Sequence, residues 1–71
     1  LIVIVNGEAK EVGESIALSE LIASLDLNPE RLAVEVNRRI IRRGEWGKNI
    51  LSEGDRVEIV HFVGGGDRLL S

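Results

Sequence analysis

Residues 1–5, Leu-Ile-Val-Ile-Val, form an unbroken apolar run rich in β-branched side chains. Such a run predicts a strand covered on both faces, at the centre of a sheet. Asn6-Gly7 follows, and because both residues tolerate positive φ the pair predicts a two-residue hairpin turn. Residues 8–12 then read as the returning strand, more polar and at an edge, broken by Gly13-Glu14. Leu18, Leu21, Ile22 and Leu25 stand at i, i+3, i+4 and i+7, which is one face of a helix with Ser19, Glu20 and Ser24 turned outward. Asn28-Pro29 does not continue a helix, so the end is expected near Asp26. Residues 32–37 alternate well enough for a strand, with Ile40-Ile41 as a short continuation beyond a turn at Asn37-Arg38-Arg39. The stretch 44–49, with Trp46, reads as a loop or one helical turn. Residues 52–55 are a turn, and 56–62 the last strand.

Two hairpin strands, a crossing helix and further strands make an α+β roll. The expected architecture is a mixed sheet of four to five strands with one helix packed across one face, the last strand lying parallel to the first in mid-sheet. That is the β-grasp, or ubiquitin-like, arrangement. Alternation along the last strand turns Val57 and Ile59 toward the helix and Val60 and Phe62 away from it. Val60 and Phe62 then form an outer apolar patch, which Ile2 and Ile4 extend if Val3 and Val5 face the helix.

Composition narrows the chemistry. The 71 residues suit one small domain whose core must come from Ile, Val and Leu, since there is one Trp, one Phe and neither Tyr nor Met. With no cysteine, the chain has no disulfide, no thiolate metal site, no thiol nucleophile and no persulfide of its own. His61 stands alone, without a partner at metal-ligand spacing, and the carboxylates are scattered with no converging pair for acid–base work. A free-standing enzyme is therefore not expected, nor a bound metal or cofactor. A net charge of −3 argues against general nucleic-acid binding. No apolar run approaches the ~20 residues of a membrane span and nothing resembles a signal peptide, so a cytoplasmic protein is expected. Arg38, Arg39, Arg42, Arg43 and Lys48 make the one basic cluster, read first as a solvated turn and edge strand and second as a surface that attracts an acidic partner. Trp46 is read as a packing anchor for its loop.

The last strand runs into Gly64-Gly65-Gly66. Glycine has no Cβ and fits a narrow channel, and three extended residues reach roughly 10 Å. The stretch Leu32-Ala33-Val34-Glu35-Val36-Asn37, then Ile40-Ile41, Trp46, and Gly54-Asp55-Arg56-Val57-Glu58-Ile59-Val60-His61-Phe62-Val63-Gly64-Gly65-Gly66 resembles the ThiS family, the sulfur carriers of thiamine biosynthesis. The Asn6-Gly7 hairpin and the helix at 18–25 fall where that family has them, so the resemblance covers residues 1–66. It implies a protein substrate rather than an enzyme. An E1-like adenylating enzyme would activate the terminal glycine carboxylate with MgATP. A sulfur donor protein would convert the adenylate to a thiocarboxylate, and thiazole synthase would take the sulfur. Carried onto this chain, the sulfur-carrying terminus is Gly66, with Gly65 and Gly64 leading to it. The outer position of Val60 and Phe62 is read separately, either as ordinary packing or as a partner-docking patch for the activating enzyme and the synthase.

The expected organisation is a domain over 1–63, a flexible glycine tail over 64–66 and an extension over 67–71. The family's members are expected to end at the last glycine, and while Asp67 is attached Gly66 has no carboxylate. Three explanations compete: a natural extension removed by a processing peptidase, an artefact of where the sequence was cut, or loss of carrier activity. A molybdopterin-type sulfur carrier and a ubiquitin-like modifier or interaction domain are the alternative functions. Neither nucleic acid nor membrane is an expected partner.

Overall fold

A computed structural model describes residues 1–63 and the strand at 68–70. The strands are β1 (Ile2–Val5), β2 (Glu8–Glu11), β3 (Leu32–Val36), β4 (Arg39–Ile40), β5 (Arg56–Val63) and β6 (Arg68–Leu70), with the helix α1 over Leu18–Ser24. Pro29–Arg31 and Arg43–Lys48 form two 3-10 turns. The strand order is β2-β1-β5-β3-β4, with β6 attached to β5. β1 and β5 are parallel, with Ile4 opposite Arg56 and Val5 opposite Val57. The other pairings are antiparallel.

Local chemistry accounts for these elements. Asn6 (φ 48°) and Gly7 (φ 85°) occupy the left-handed region that a tight hairpin turn requires. Asn37 (φ 52°) and Arg38 (φ 70°) make the equivalent turn between β3 and β4. The Glu20 carboxylate reaches back to accept from the Ala17 N–H at 2.8 Å, satisfying one of the donors a helix start leaves unpaired. Asp26, at φ 58°, carries the chain away after the helix. Pro29 opens its 3-10 turn, where the Asn28 side chain accepts from the Glu30 N–H at 3.0 Å.

The helix is only seven residues long, too short to stand without tertiary contacts. Leu18, Leu21 and Ile22 bury its inner face against Val3, Val34, Val36 and Val57 from the three central strands. Trp46 and Leu51 close the same core. Trp46 is the packing anchor its sequence context suggested: the ring is buried and its Nε1–H donates to the Ile41 carbonyl at 2.9 Å.

The structure corrects one expectation. β1 is central in the sheet but is not covered on both faces. Val3 is fully buried, while Ile4 is half-buried and Ile2 is 36% exposed. The single α-helix among the described residues covers one face and leaves the other open. The structure also adds a sixth strand, Arg68–Leu70, within the stretch read as an extension.

Candidate functional site

The site is built around the far end of β5. Two asparagine side chains fix this strand. Asn6 treats Ile59 as a neighbouring strand would: its Oδ1 accepts from the Ile59 N–H at 2.7 Å and its Nδ2 donates to the Ile59 carbonyl at 3.2 Å. At the other end, the Asn37 Oδ1 accepts from the Arg56 N–H at 2.9 Å, and its Nδ2 donates to Asp55 Oδ1 at 3.0 Å. Both clips come from turn residues at positive φ, where Asn is better tolerated than most side chains. The backbone adds to them. The N–H groups of Ile4 and Asn6 donate to the Asp55 and Val57 carbonyls, each at 2.8 Å.

Odd-numbered β5 residues thus face β1, whose pairing stops at the Asn6 side chain. His61 has Leu32 opposite it on β3 and Leu70 opposite it on β6. β6 therefore lies on the β1 side, in line with β1 and beyond Asn6. Gly64, Gly65 and Gly66, the predicted sulfur-carrying terminus, lie outside the described residues.

The predicted strand parity holds. Val57 is fully buried and Ile59 packs half-buried against the core. Val60 and Phe62 are half-buried on the opposite face. Ala33 stands opposite Val60, so among the described side chains the outer patch beside the strand end includes Ala33, Val60 and Phe62. Ile2 and Ile4 share that face but do not extend the patch. Ile4 stands opposite Arg56, four residues or about 13 Å along the strand from Val60. Glu58 and its direct cross-strand neighbour Glu35 interrupt the apolar surface between them. Face alternation is visible in a sequence; register between strands distant in the chain is not.

On the helix side, Val5, Asn6, Glu8, Leu25, Leu27, Ile59 and His61 line an open groove of about 380 Å³. His61 is half-buried at its edge. No three His, Cys, Asp or Glu side chains among the described residues are placed to hold a metal ion. No helix among the described residues is long and apolar enough to cross a membrane. The described part of the site thus supplies a rigid strand end and an adjoining apolar patch. Asparagine clipping is the feature sequence reasoning missed. The Asn-Gly and Asn-Arg pairs signal turns, but the reach of their amides across the sheet depends on the fold.

The model of the ThiS family matches residues 3–66. A crystal structure of a thiamine biosynthesis protein (ThiS) from Geobacter metallireducens superposes with a TM-score of 0.80 at 31% identity, covering 92% of this chain and 99% of that one. The sulfur carrier protein ThiS of Bacillus subtilis is 41% identical over 49 residues, covering 69% of this chain and 74% of the relative. A thiazole synthase from Magnetococcus marinus is 41% identical over 61 residues, covering 86% of this chain. The chain spans only 19% of the length of the thiazole synthases it matches. The family match over nearly the whole chain and the shared β-grasp fold lead to one conclusion: this chain belongs to the ThiS family.

Proposed function

We propose that this domain is a sulfur carrier in thiamine biosynthesis, working through a C-terminal carboxylate on Gly66. The observation that carries the proposal is a pinned, central β5 leading directly into Gly64-Gly65-Gly66 in a chain that matches the ThiS family over residues 3–66. A carboxylate is a poor acyl donor because its leaving group would be oxide. In the proposed reaction the Gly66 carboxylate oxygen attacks the α-phosphorus of MgATP on an E1-like enzyme and pyrophosphate leaves. Cationic groups or metal on that partner offset the phosphate charge. Hydrosulfide released by a sulfur donor protein then attacks the acyl carbon, AMP leaves with the C–O bond, and loss of the S–H proton gives a thiocarboxylate that thiazole synthase consumes. The chain acts as protein substrate throughout, and its work is to hold and present the tail. Val60 and Phe62, half-buried beside the strand end, supply the docking patch.

Among the proposed partners, thiazole synthase is the one to which the similar proteins point. Two thiazole synthases contain a segment similar to this chain within much longer proteins. Those relatives also qualify the expectation that family members end at the last glycine, since a matching segment occurs in a longer chain. For the carboxylate chemistry the Gly66–Asp67 bond must be hydrolysed, giving the Gly66 carboxylate and the free amine of Asp67; a processing peptidase in the same cytoplasmic compartment would supply that step.

ATP–pyrophosphate exchange with the activating enzyme tests the reading. A chain ending at Gly66 is expected to support exchange and the chain ending at Ser71 is not. Gly65→Val should abolish exchange by blocking a narrow channel. Exchange with the Ser71-ended chain, or normal exchange with Gly65→Val, would overturn the mechanism.

A further inference from the structure

The charge of this chain is divided between two regions. Residues 38–48 hold Arg38, Arg39, Arg42, Arg43 and Lys48 against one carboxylate, Glu45, while the remainder holds four cations and eleven carboxylates. The fold keeps the basic residues together. The Asn37-Arg38 turn, the edge strand β4 and the second 3-10 turn follow one another at one corner, and all five cations are exposed. Between β4 and the 3-10 turn runs an open groove of about 370 Å³ lined by Ile40, Ile41, Arg42, Glu45, Lys48 and Asn49.

Cations on an edge strand discourage unwanted sheet pairing, and that alone would explain the arginines. It does not explain Ile40. This residue is 75% exposed in the middle of the cluster, where an edge protected only by charge would carry another polar side chain. Its backbone is also open. The Ile41 N–H donates inward to the Val34 carbonyl at 2.9 Å, so strand alternation turns the amide and carbonyl of Ile40 toward the free edge.

We propose that this corner is a docking site for an acidic, partly apolar, extended segment of a partner protein. The segment adds to the β4 edge at Ile40, lays an aliphatic side chain over Ile40, and sets carboxylates against Arg39, Arg42 and Lys48. A nucleic acid fits less well. The corner's one aromatic ring, Trp46, is buried and offers no stacking face, and the acidic remainder of the surface repels a long polyanion. The site stands apart from the glycine tail. Asn37 binds Arg56 at the start of β5, seven residues or about 23 Å from Val63. Both ends can therefore be occupied together, and a partner held here raises the local concentration of the tail. The inference does not depend on the carrier reading.

The test is an NMR titration of the full nitrogen-15-labelled chain. The probes are a peptide of alternating Glu and Leu, an all-Glu peptide, a Lys-Leu peptide and a single-stranded oligonucleotide. The Glu-Leu peptide is expected to shift amides within residues 38–50, several-fold more tightly than all-Glu. Its affinity should fall at least tenfold between about 50 and about 300 mM salt. Arg42→Glu with Lys48→Glu should abolish binding, and Ile40→Ser should weaken it several-fold, with the β1 and β5 amides unmoved to report an intact fold. No shift at millimolar peptide, equal binding of all-Glu or Lys-Leu, or tighter binding of the oligonucleotide would each overturn the proposal.

Discussion

Replacing Asn6 tests how the working strand is held. Asn6→Ala removes both hydrogen bonds to Ile59, each worth about 1 kcal/mol net. It also forces a Cβ residue without a compensating polar group to hold φ near 48°, at about 1 kcal/mol. The sum is about 3 kcal/mol. Asn6→Gly loses the same bonds but adopts the turn freely, so its loss should be about 2 kcal/mol. A chain of 71 residues has about 4–10 kcal/mol in total, so either change is large. In urea, with a slope of about 1 kcal/mol/M, the midpoint should fall by about 3 M for Ala and about 2 M for Gly, at unchanged slope. Hydrogen exchange at the Ile59 amide should accelerate in both variants. Midpoints within about 0.5 M of the parent would refute the clip as a source of stability. Equal losses for Ala and Gly would refute the turn contribution.

Two further outcomes follow from burial. Leu21→Ala, at a fully buried helix position, should cost about 2–5 kcal/mol; a thermal melt within a few degrees of the parent would show that the helix does not close the core. Phe62→Ala, half-buried on the outer face and away from that core, should leave the urea midpoint within about 1 M while weakening the affinity of the proposed activating enzyme about tenfold. A large stability loss with unchanged affinity would reassign Phe62 to packing.

The sequence made period and turns legible because both are local. The 3.6-residue spacing of Leu18, Leu21 and Ile22 and the two-residue alternation of Val57 against Val60 and Phe62 describe the buried and outer faces found in the fold. Asn6-Gly7 marked the hairpin because few residue pairs accept two positive φ values. Three features depended on long-range geometry. The apolar run at 1–5 suggested two-sided cover, yet one short helix leaves Ile2 and Ile4 facing outward. Register separated those isoleucines from Val60 by a pair of glutamates. The amide of Asn6 bonds a residue 53 positions later, which no local pattern reveals. For the candidate site, the strand and its outer patch could be placed from sequence, while the function of the glycines rested on the family resemblance.

Under the proposed function, a partner that draws in the glycine tail also pulls on the strand behind it. The load enters at Val63 and runs along β5, between β1 on one side and β3 on the other. Ladder bonds lie across that direction, perpendicular in the antiparallel pair and slanted in the parallel one. Tension therefore shears many of them together instead of peeling them singly. The Asn6 and Asn37 amides act as rivets on the same strand, one on each flank. The edge strands β2 and β4 would unzip under a comparable tug. With its proposed working end on the central strand, the domain can be towed by that end without unravelling.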